Sequence, residues 1–207
     1  MKRELLIAGN WKKYFKAFPV GKKLAIRPSW ETYENTENRT VINLDPGAAF
    51  GTGGHATTSL CLEILEDYVN EKSKILDIGT GSGILAIASL LLGAESAVGV
   101  DIDELAVETA KKNAKINGVD KKVEFFVGNL ADKISDKYDI VCANIIADVV
   151  IKLFEDVADY MNDDGILIVS GIIDIRSKEV ETAAKKFGFK TVGALTREEW
   201  HAYVLKK

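Results

Sequence analysis

From Lys74 to Ala88 the chain reads K-I-L-D-I-G-T-G-S-G-I-L-A-I-A, and these residues carry the strongest chemical signal. A short β-branched run ends in an acid, three glycines alternate with small residues, and an apolar helical run follows. Glycine is required where backbone turns tightly and a ligand must approach without a Cβ in the way. The helix N-terminus beyond it offers free N–H groups and a partial positive charge. The glycines fall at 79, 81 and 83, giving G-x-G-x-G, whereas a dinucleotide loop wants G-x-G-x-x-G and meets Ile84 at that place. The loop therefore suits a nucleoside such as S-adenosylmethionine better than NAD. Asp77, Gly79, Gly81 and Gly83 are its candidate binding residues.

Three further polar residues stand at the ends of strand-like runs. Asp101 follows V-G-V and lies 22 residues after Gly79, where nucleoside sites place an acid for the ribose hydroxyls. Its alternative role, capping the next helix, falls better to Asp103. Asn129, in G-N-L, is either a partner for the adenine edge or a turn residue, and both readings stay open. Asn144 ends the apolar run V-C-A-N and would deliver a primary amide to the crevice where open α/β sheets bind ligands. Its oxygen, with a neighbouring backbone carbonyl, could hold a substrate amine with the lone pair aimed at a methyl group. A turn Asn before a helix is the duller alternative; position in the fold favours function. Upstream, residues 45–58 read D-P-G-A-A-F-G-T-G-G-H-A-T-T, a glycine-rich stretch entering a helix. It is either a connector or a binding lid, and the Thr and His among its glycines favour the lid. Thr57 or Thr58 is expected to cap the helix. His55 is the lid's one candidate base, although a turn role fits it better.

Elements that could position these residues are legible from periodicity. Short Val/Ile-rich strands are expected at Ile75–Ile78, Ala97–Asp101, Val123–Val127, Tyr138–Ala143 and Ile166–Ser170. Between them run helical stripes, one through Val150, Leu153, Phe154, Val157, Ala158 and Met161, another through Val180, Ala183, Ala184 and Phe187. Gly118 and Gly188 stand where helices end. Such alternation implies right-handed βαβ units and a parallel sheet covered on both faces. The tail departs from it: Lys190–Leu195 and Trp200–Leu205, joined by residues 196–199, read as a hairpin that adds an antiparallel strand. Nearer the start, Leu24–Arg27 and Val41–Leu44 are expected strands and Thr57–Tyr68 an amphipathic helix.

At 207 residues, 47 % hydrophobic and 28 % charged, the chain suits one globular domain with a small extension. Two cysteines, Cys61 and Cys142, form no disulfide framework, and with two histidines they show no metal-site spacing, so no metal is expected. Cys61 reads as a packed thiol. The longest apolar run, Ile84 to Leu92, is too short to span a bilayer, and the start lacks a secretory leader, so the reading is a cytoplasmic protein. Net charge is −4, yet residues 1–30 hold eight Lys/Arg against one Glu, interleaved with Trp11, Tyr14, Phe15, Phe18 and Trp30. Nucleic-acid binding is one reading of that segment. A surface arm with packed aromatics and solvated lysines is preferred, and direct nucleic-acid contact is not expected. Residues 1–44 are accordingly taken as a basic arm with short strands, and 45–207 as the catalytic domain.

Taken together, D-P-G-A-A-F-G-T-G-G-H-A-T-T, I-L-D-I-G-T-G-S-G-I-L, V-G-V-D-I-D, V-C-A-N-I-I-A and the terminal E-E-W-H-A-Y-V-L closely resemble the ribosomal protein L11 methyltransferase family (PrmA), as do W-K-K-Y-F-K and I-R-P-S-W near the start. The resemblance covers about residues 11–207. The glycine loop marks only a class I methyltransferase, while F-G-T-G-x-H-x-T-T is far more specific. What the resemblance implies is a class I S-adenosylmethionine-dependent methyltransferase fold, Rossmann-like, with a seven-stranded, mostly parallel sheet. It also implies methyl transfer from S-adenosylmethionine to lysine or N-terminal amines of an L11-like ribosomal protein, with S-adenosylhomocysteine as product and no membrane partner. By motif, cofactor contacts fall to Thr58, Gly79, Asp101 and Asn144, with Phe50 and Gly51 closing over the methionine end. Family members of usual length carry a separate N-terminal domain that recognises the substrate. Ten residues precede Trp11 here, so the resemblance is to the catalytic domain alone. Catalysis would rest on proximity, with Asn144 aligning the amine. Another protein or small amine as acceptor, and a non-catalytic cofactor-binding module, are the rival readings.

Overall fold

A computed structural model describes residues 15–45, 51–129 and 136–207. Among them the chain forms β1 (Phe18–Val20), β2 (Leu24–Arg27), β3 (Thr40–Asn43), α1 (Ala56–Tyr68), β4 (Lys74–Ile78), α2 (Ile84–Leu91), β5 (Ser96–Asp101), α3 (Glu104–Ile116), β6 (Val123–Val127), β7 (Tyr138–Asn144), α4 (Ala147–Leu153), a 3₁₀ turn (Val157–Tyr160), β8 (Met161–Ile173), α5 (Asp174–Lys186), β9 (Lys190–Arg197) and β10 (Trp200–Lys206). Seven strands make one sheet in the order β6-β5-β4-β7-β8-β10-β9. Neighbours from β6 to β8 pair in parallel, and β10 runs antiparallel to both β8 and β9. This is the class I methyltransferase architecture with its antiparallel C-terminal strand.

Alternation along the central strands explains why they read as unbroken apolar runs. Ile75, Ile140, Cys142, Ile168 and Val204 join one core cluster, under α1, α2 and α3. Their neighbours Leu76, Val141, Ala143, Leu167 and Leu205 join a second, under α4 and α5. With both faces covered, each successive residue must be apolar. The first cluster also takes in Leu24, Ile26 and Ile42 from a small sheet of β1, β2 and β3, and Leu44 just after β3, all fully buried. That sheet is anchored by Glu66 of α1. Its carboxylate accepts from the backbone N–H groups of Lys22, Lys23 and Leu24 at 2.8, 2.7 and 3.0 Å.

Three local expectations are corrected. His55, not Thr57 or Thr58, caps α1: its backbone is extended and its Nδ1 accepts from the Thr57 N–H at 3.3 Å. The stripe from Val150 to Met161 is not one helix. The chain leaves α4 after Leu153, passes through the 3₁₀ turn and enters β8 at Met161. Phe154, Val157 and Met161 still bury in one cluster, although they belong to a helix end, the 3₁₀ turn and a strand start in turn. The hairpin turn is shorter than residues 196–199: Arg197 pairs with Trp200, leaving Glu198 and Glu199 to turn the chain.

Candidate functional site

The strand order reverses beside β4: the chain builds β5 and β6 on one side, then crosses to β7 on the other. Loops leaving adjacent strands part at such a point and leave a crevice at the strands' C-terminal ends. A cavity of about 620 Å³ lies there, lined by Gly79, Gly81, Asp101, Asn129 and Asn144 and by the apolar side chains of Ile102, Ile145, Ile146, Val149 and Trp200.

Its floor is shaped by the glycine loop. Gly79 has φ +70°, and its N–H donates to the Val100 carbonyl at 2.9 Å, tying the β4 tip to β5. A Cβ there would stand 2.6 Å from the Ile145 methyl, so a side chain would push the β7 tip away. Gly81, at φ +53°, donates its N–H to Asp101 Oδ2 at 2.8 Å. Asp101 Oδ1 accepts from the Asp103 N–H at 3.0 Å, while the Asp103 side chain caps α3. The Asp101 carboxylate thus fixes loop and strand tip together, and each oxygen keeps lone-pair capacity for a ligand.

Asp77 and Gly83 sit behind this floor rather than on it. Gly83 begins α2 at φ +83°, and a Cβ would meet Ala110 Cβ at 2.9 Å and the Phe125 ring at 3.2 Å. Close helix packing requires this glycine. Asp77 is buried: Oδ2 accepts from Thr80 Oγ1 at 2.7 Å and from the Ala86 N–H at 3.4 Å. Oδ1 has no hydrogen-bond partner among the described residues. Burial pushes this carboxyl up to about 6 against the pull of those two donors, and the nearby Asp101 charge adds to the rise.

On the other wall, Asn144 Nδ2 donates to Thr58 Oγ1 at 3.2 Å, while Oδ1 accepts no hydrogen bond among the described residues. Thr58 is fully buried and orients the amide from behind. The tip itself is locked by β8. Ile145 N–H donates to the Ser170 carbonyl at 3.2 Å, and a Cβ on Gly171 would meet the Ile145 carbonyl at 2.5 Å. Below the crevice, burial pushes the Cys61 thiol up to about 12 and raises Cys142 well above its ordinary value. Phe50 lies outside the described residues. Gly51 is held to the glycine loop by its carbonyl, which accepts from Ser82 Oγ at 2.6 Å. Asn113, fully buried on α3, donates to the Ser82 carbonyl at 2.9 Å and accepts from the Asp45 N–H at 3.0 Å, so it couples both loops.

Of the residues singled out by sequence, Gly79, Gly81, Asp101, Asn129 and Asn144 meet at one cavity, and Thr58, Asp77 and Gly83 support it. Sequence reasoning did not single out Ile102, Ile146 or Trp200. Ile102 is 76 % and Ile146 66 % exposed. Each directly follows a strand-tip motif, which was the available signal. Exposed aliphatic walls, a carboxylate with spare acceptors and a floor free of side chains form a donor set that fits a nucleoside: ring between apolar groups, sugar hydroxyls on the acid.

Comparison with known proteins gives the same direction. A family model described as ribosomal protein L11 methyltransferase (PrmA) matches residues 7–207. A ribosomal protein L11 methyltransferase of Clostridium perfringens is 47 % identical over 199 residues, 96 % of this chain and 63 % of that protein. One from Caldanaerobacter subterraneus is 44 % identical over 97 % of this chain and 64 % of its own length. The chain therefore spans under two thirds of these relatives' length. The crystal structure of a ribosomal protein L11 methylase from Lactobacillus delbrueckii superposes with a TM-score of 0.87 at 32 % identity, covering 93 % of this chain and 98 % of that one. An RNA methyltransferase from Salinibacter ruber, solved with S-adenosyl-L-homocysteine, shares the fold at a TM-score of 0.55 and 22 % identity, over 69 % of this chain and 87 % of that one.

Proposed function

The chain belongs to the ribosomal protein L11 methyltransferase family, and from that premise we propose that it is an S-adenosylmethionine-dependent protein methyltransferase acting on amines of L11 or an L11-like protein. The observation that carries the reading is the meeting of Gly79, Gly81, Asp101 and Asn144 around one cavity at the reversal of strand order. S-adenosylhomocysteine in the Salinibacter ruber enzyme, on the same fold, supports the choice of nucleoside. Asp101 would accept from the ribose hydroxyls and Asn129 would meet the adenine edge between Ile102 and Ile146. Gly79 and Gly81 would let the nucleoside lie against backbone. When bound, the cofactor supplies a methyl group on a positively charged sulfur, open to in-line displacement by a neutral amine nitrogen.

The chain's own contribution is orientation. A lysine ammonium, with pKa about 10.4 in water, must lose its proton first, and apolar walls disfavour its charged form. Asn144 Oδ1, open while Thr58 holds Nδ2, can accept from one N–H of the neutral amine and fix where its lone pair points. Among the described residues no helix is long and apolar enough to cross a membrane, and we place the protein in the cytoplasm with its ribosomal substrate.

The test joins two measurements. Calorimetric titration with S-adenosylhomocysteine should show saturable binding. Incubation of purified L11 with isotopically labelled S-adenosylmethionine should add label to lysine or N-terminal amines, read by mass spectrometry. Binding without transfer to L11 or any other amine would overturn the enzymatic reading, and no binding at all would remove its basis.

A further inference from the structure

A second cavity, also about 620 Å³, adjoins the first. His55 and Trp200 line both, their rings edge to face with centroids 5.0 Å apart, so this pair is the wall between the two. Beyond the wall the second cavity is built from Phe18 in β1, from the side of α1 that presents Ala56, Ser59 and Glu63, and from the β9–β10 turn. Positions 56, 59 and 63 share one helix face by spacing.

Two features of this cavity call for a ligand. The first is charge. Glu63 is paired with Arg197 at 2.8 Å, whereas Glu198 lines the cavity with no hydrogen bond or ion pair among the described residues. Arg197 being matched by Glu63, Glu198 sets the sign. The second is backbone. Glu198 turns the hairpin at φ +55°, a left-handed conformation that costs a non-glycine residue about 1 kcal/mol and that glycine adopts freely. An acid kept at strain beside a cleft points to a use for its side chain. The wall adds a third element, because aromatic rings accommodate the methylene stem of a lysine whose head group reaches past them.

Resting on the reading of the first cavity as a methyl-transfer site, we propose that the second seats the polypeptide carrying the acceptor amine, with Glu198 reading a basic residue beside that amine. The occupant is an extended segment of the substrate protein. Its acceptor side chain runs along Trp200 and His55 towards Asn144, and a neighbouring lysine or arginine meets Glu198.

The experiment uses the whole chain saturated with S-adenosylhomocysteine and fluorescent peptides with one central lysine, flanked by arginine, alanine or glutamate. Anisotropy titration should give about threefold tighter binding for arginine flanks than for alanine, the effect of one exposed charge pair, and weaker binding for glutamate. Glu198→Gln should abolish that ranking with S-adenosylhomocysteine affinity unchanged. Glu198→Gly should abolish it too, while raising the melting temperature by relieving the turn, an opposition that a purely structural glutamate would not produce. Equal affinity for all three peptides, or a ranking that survives Glu198→Gln, overturns the groove and leaves the methyl-transfer reading intact. Failure of S-adenosylhomocysteine to bind overturns both.

Discussion

Replacing Asp101 with Asn probes the proposed ribose contact through a change of one atom type. Both carboxylate oxygens already receive a backbone donor, Gly81 N–H on Oδ2 and Asp103 N–H on Oδ1. Asparagine has one acceptor oxygen, so its NH₂ must face one of those N–H groups, donor against donor. Either the Gly81 turn or the start of α3 loses its partner. On the proposed assignment the ribose hydroxyls would meanwhile lose a charged acceptor, worth about 1.5–3 kcal/mol per hydrogen bond. Taking one such bond and part of another gives about 2.7 kcal/mol, or a fall in S-adenosylhomocysteine affinity of about 100-fold. Because Asp101 is only half-buried, the fold should lose only about 1 kcal/mol, which lowers the melting temperature by about 2–4 °C at this size. Calorimetric titration and thermal melting of the variant give both numbers. Affinity within threefold of wild type, with the fold intact, would refute the assignment of this carboxylate to the sugar.

Asn144→Ala should cut turnover on L11 by about 100-fold through lost orientation while changing S-adenosylhomocysteine affinity by no more than a few-fold; an unchanged initial rate removes the amide from the mechanism. Asp77 holds its proton more tightly when folded, near 6, than the ordinary carboxylate value of 3.8, so the folded state binds more protons between those values. Stability should therefore fall as pH rises from about 4 to about 6, by about 3 kcal/mol from this group. Subtracting urea-melt curves of Asp77→Asn from wild type isolates that slope, and parallel curves would show that the carboxyl is not perturbed. Glu66→Ala strips the acceptor from three backbone N–H groups and should cost about 2–4 kcal/mol in urea denaturation; a loss below 1 kcal/mol would show the small sheet is held by its apolar residues alone.

Much of this was legible in the residues because two physical rules coincide here. Strands buried on both faces must be largely apolar, so β4, β5 and β7 announce themselves, and the polar tips Asp101 and Asn144 stand out against β5 and β7. β1 escaped notice because Pro19 sits within its three residues, which sequence rules demote. The stripe from Val150 to Met161 misled because helical, 3₁₀ and strand-entry geometry all bury residues three or four apart. The N-cap was missed because histidine caps α1 here in place of the expected threonine. At the site, glycines that line a cavity and glycines that only allow packing look identical in sequence. Position in the fold separates Gly79, which lines the cavity, from Gly83, which packs behind it against Ala110. Trp200 was equally hidden, since a hairpin residue meets His55 only once the sheet has formed.

Co-crystallisation with S-adenosylhomocysteine tests the proposed cofactor site. The sugar should lie on Asp101, the ring between Ile102 and Ile146, and the sulfur facing Asn144. Ligand density over any other surface, or a crystal that stays empty at saturating concentration, would contradict it.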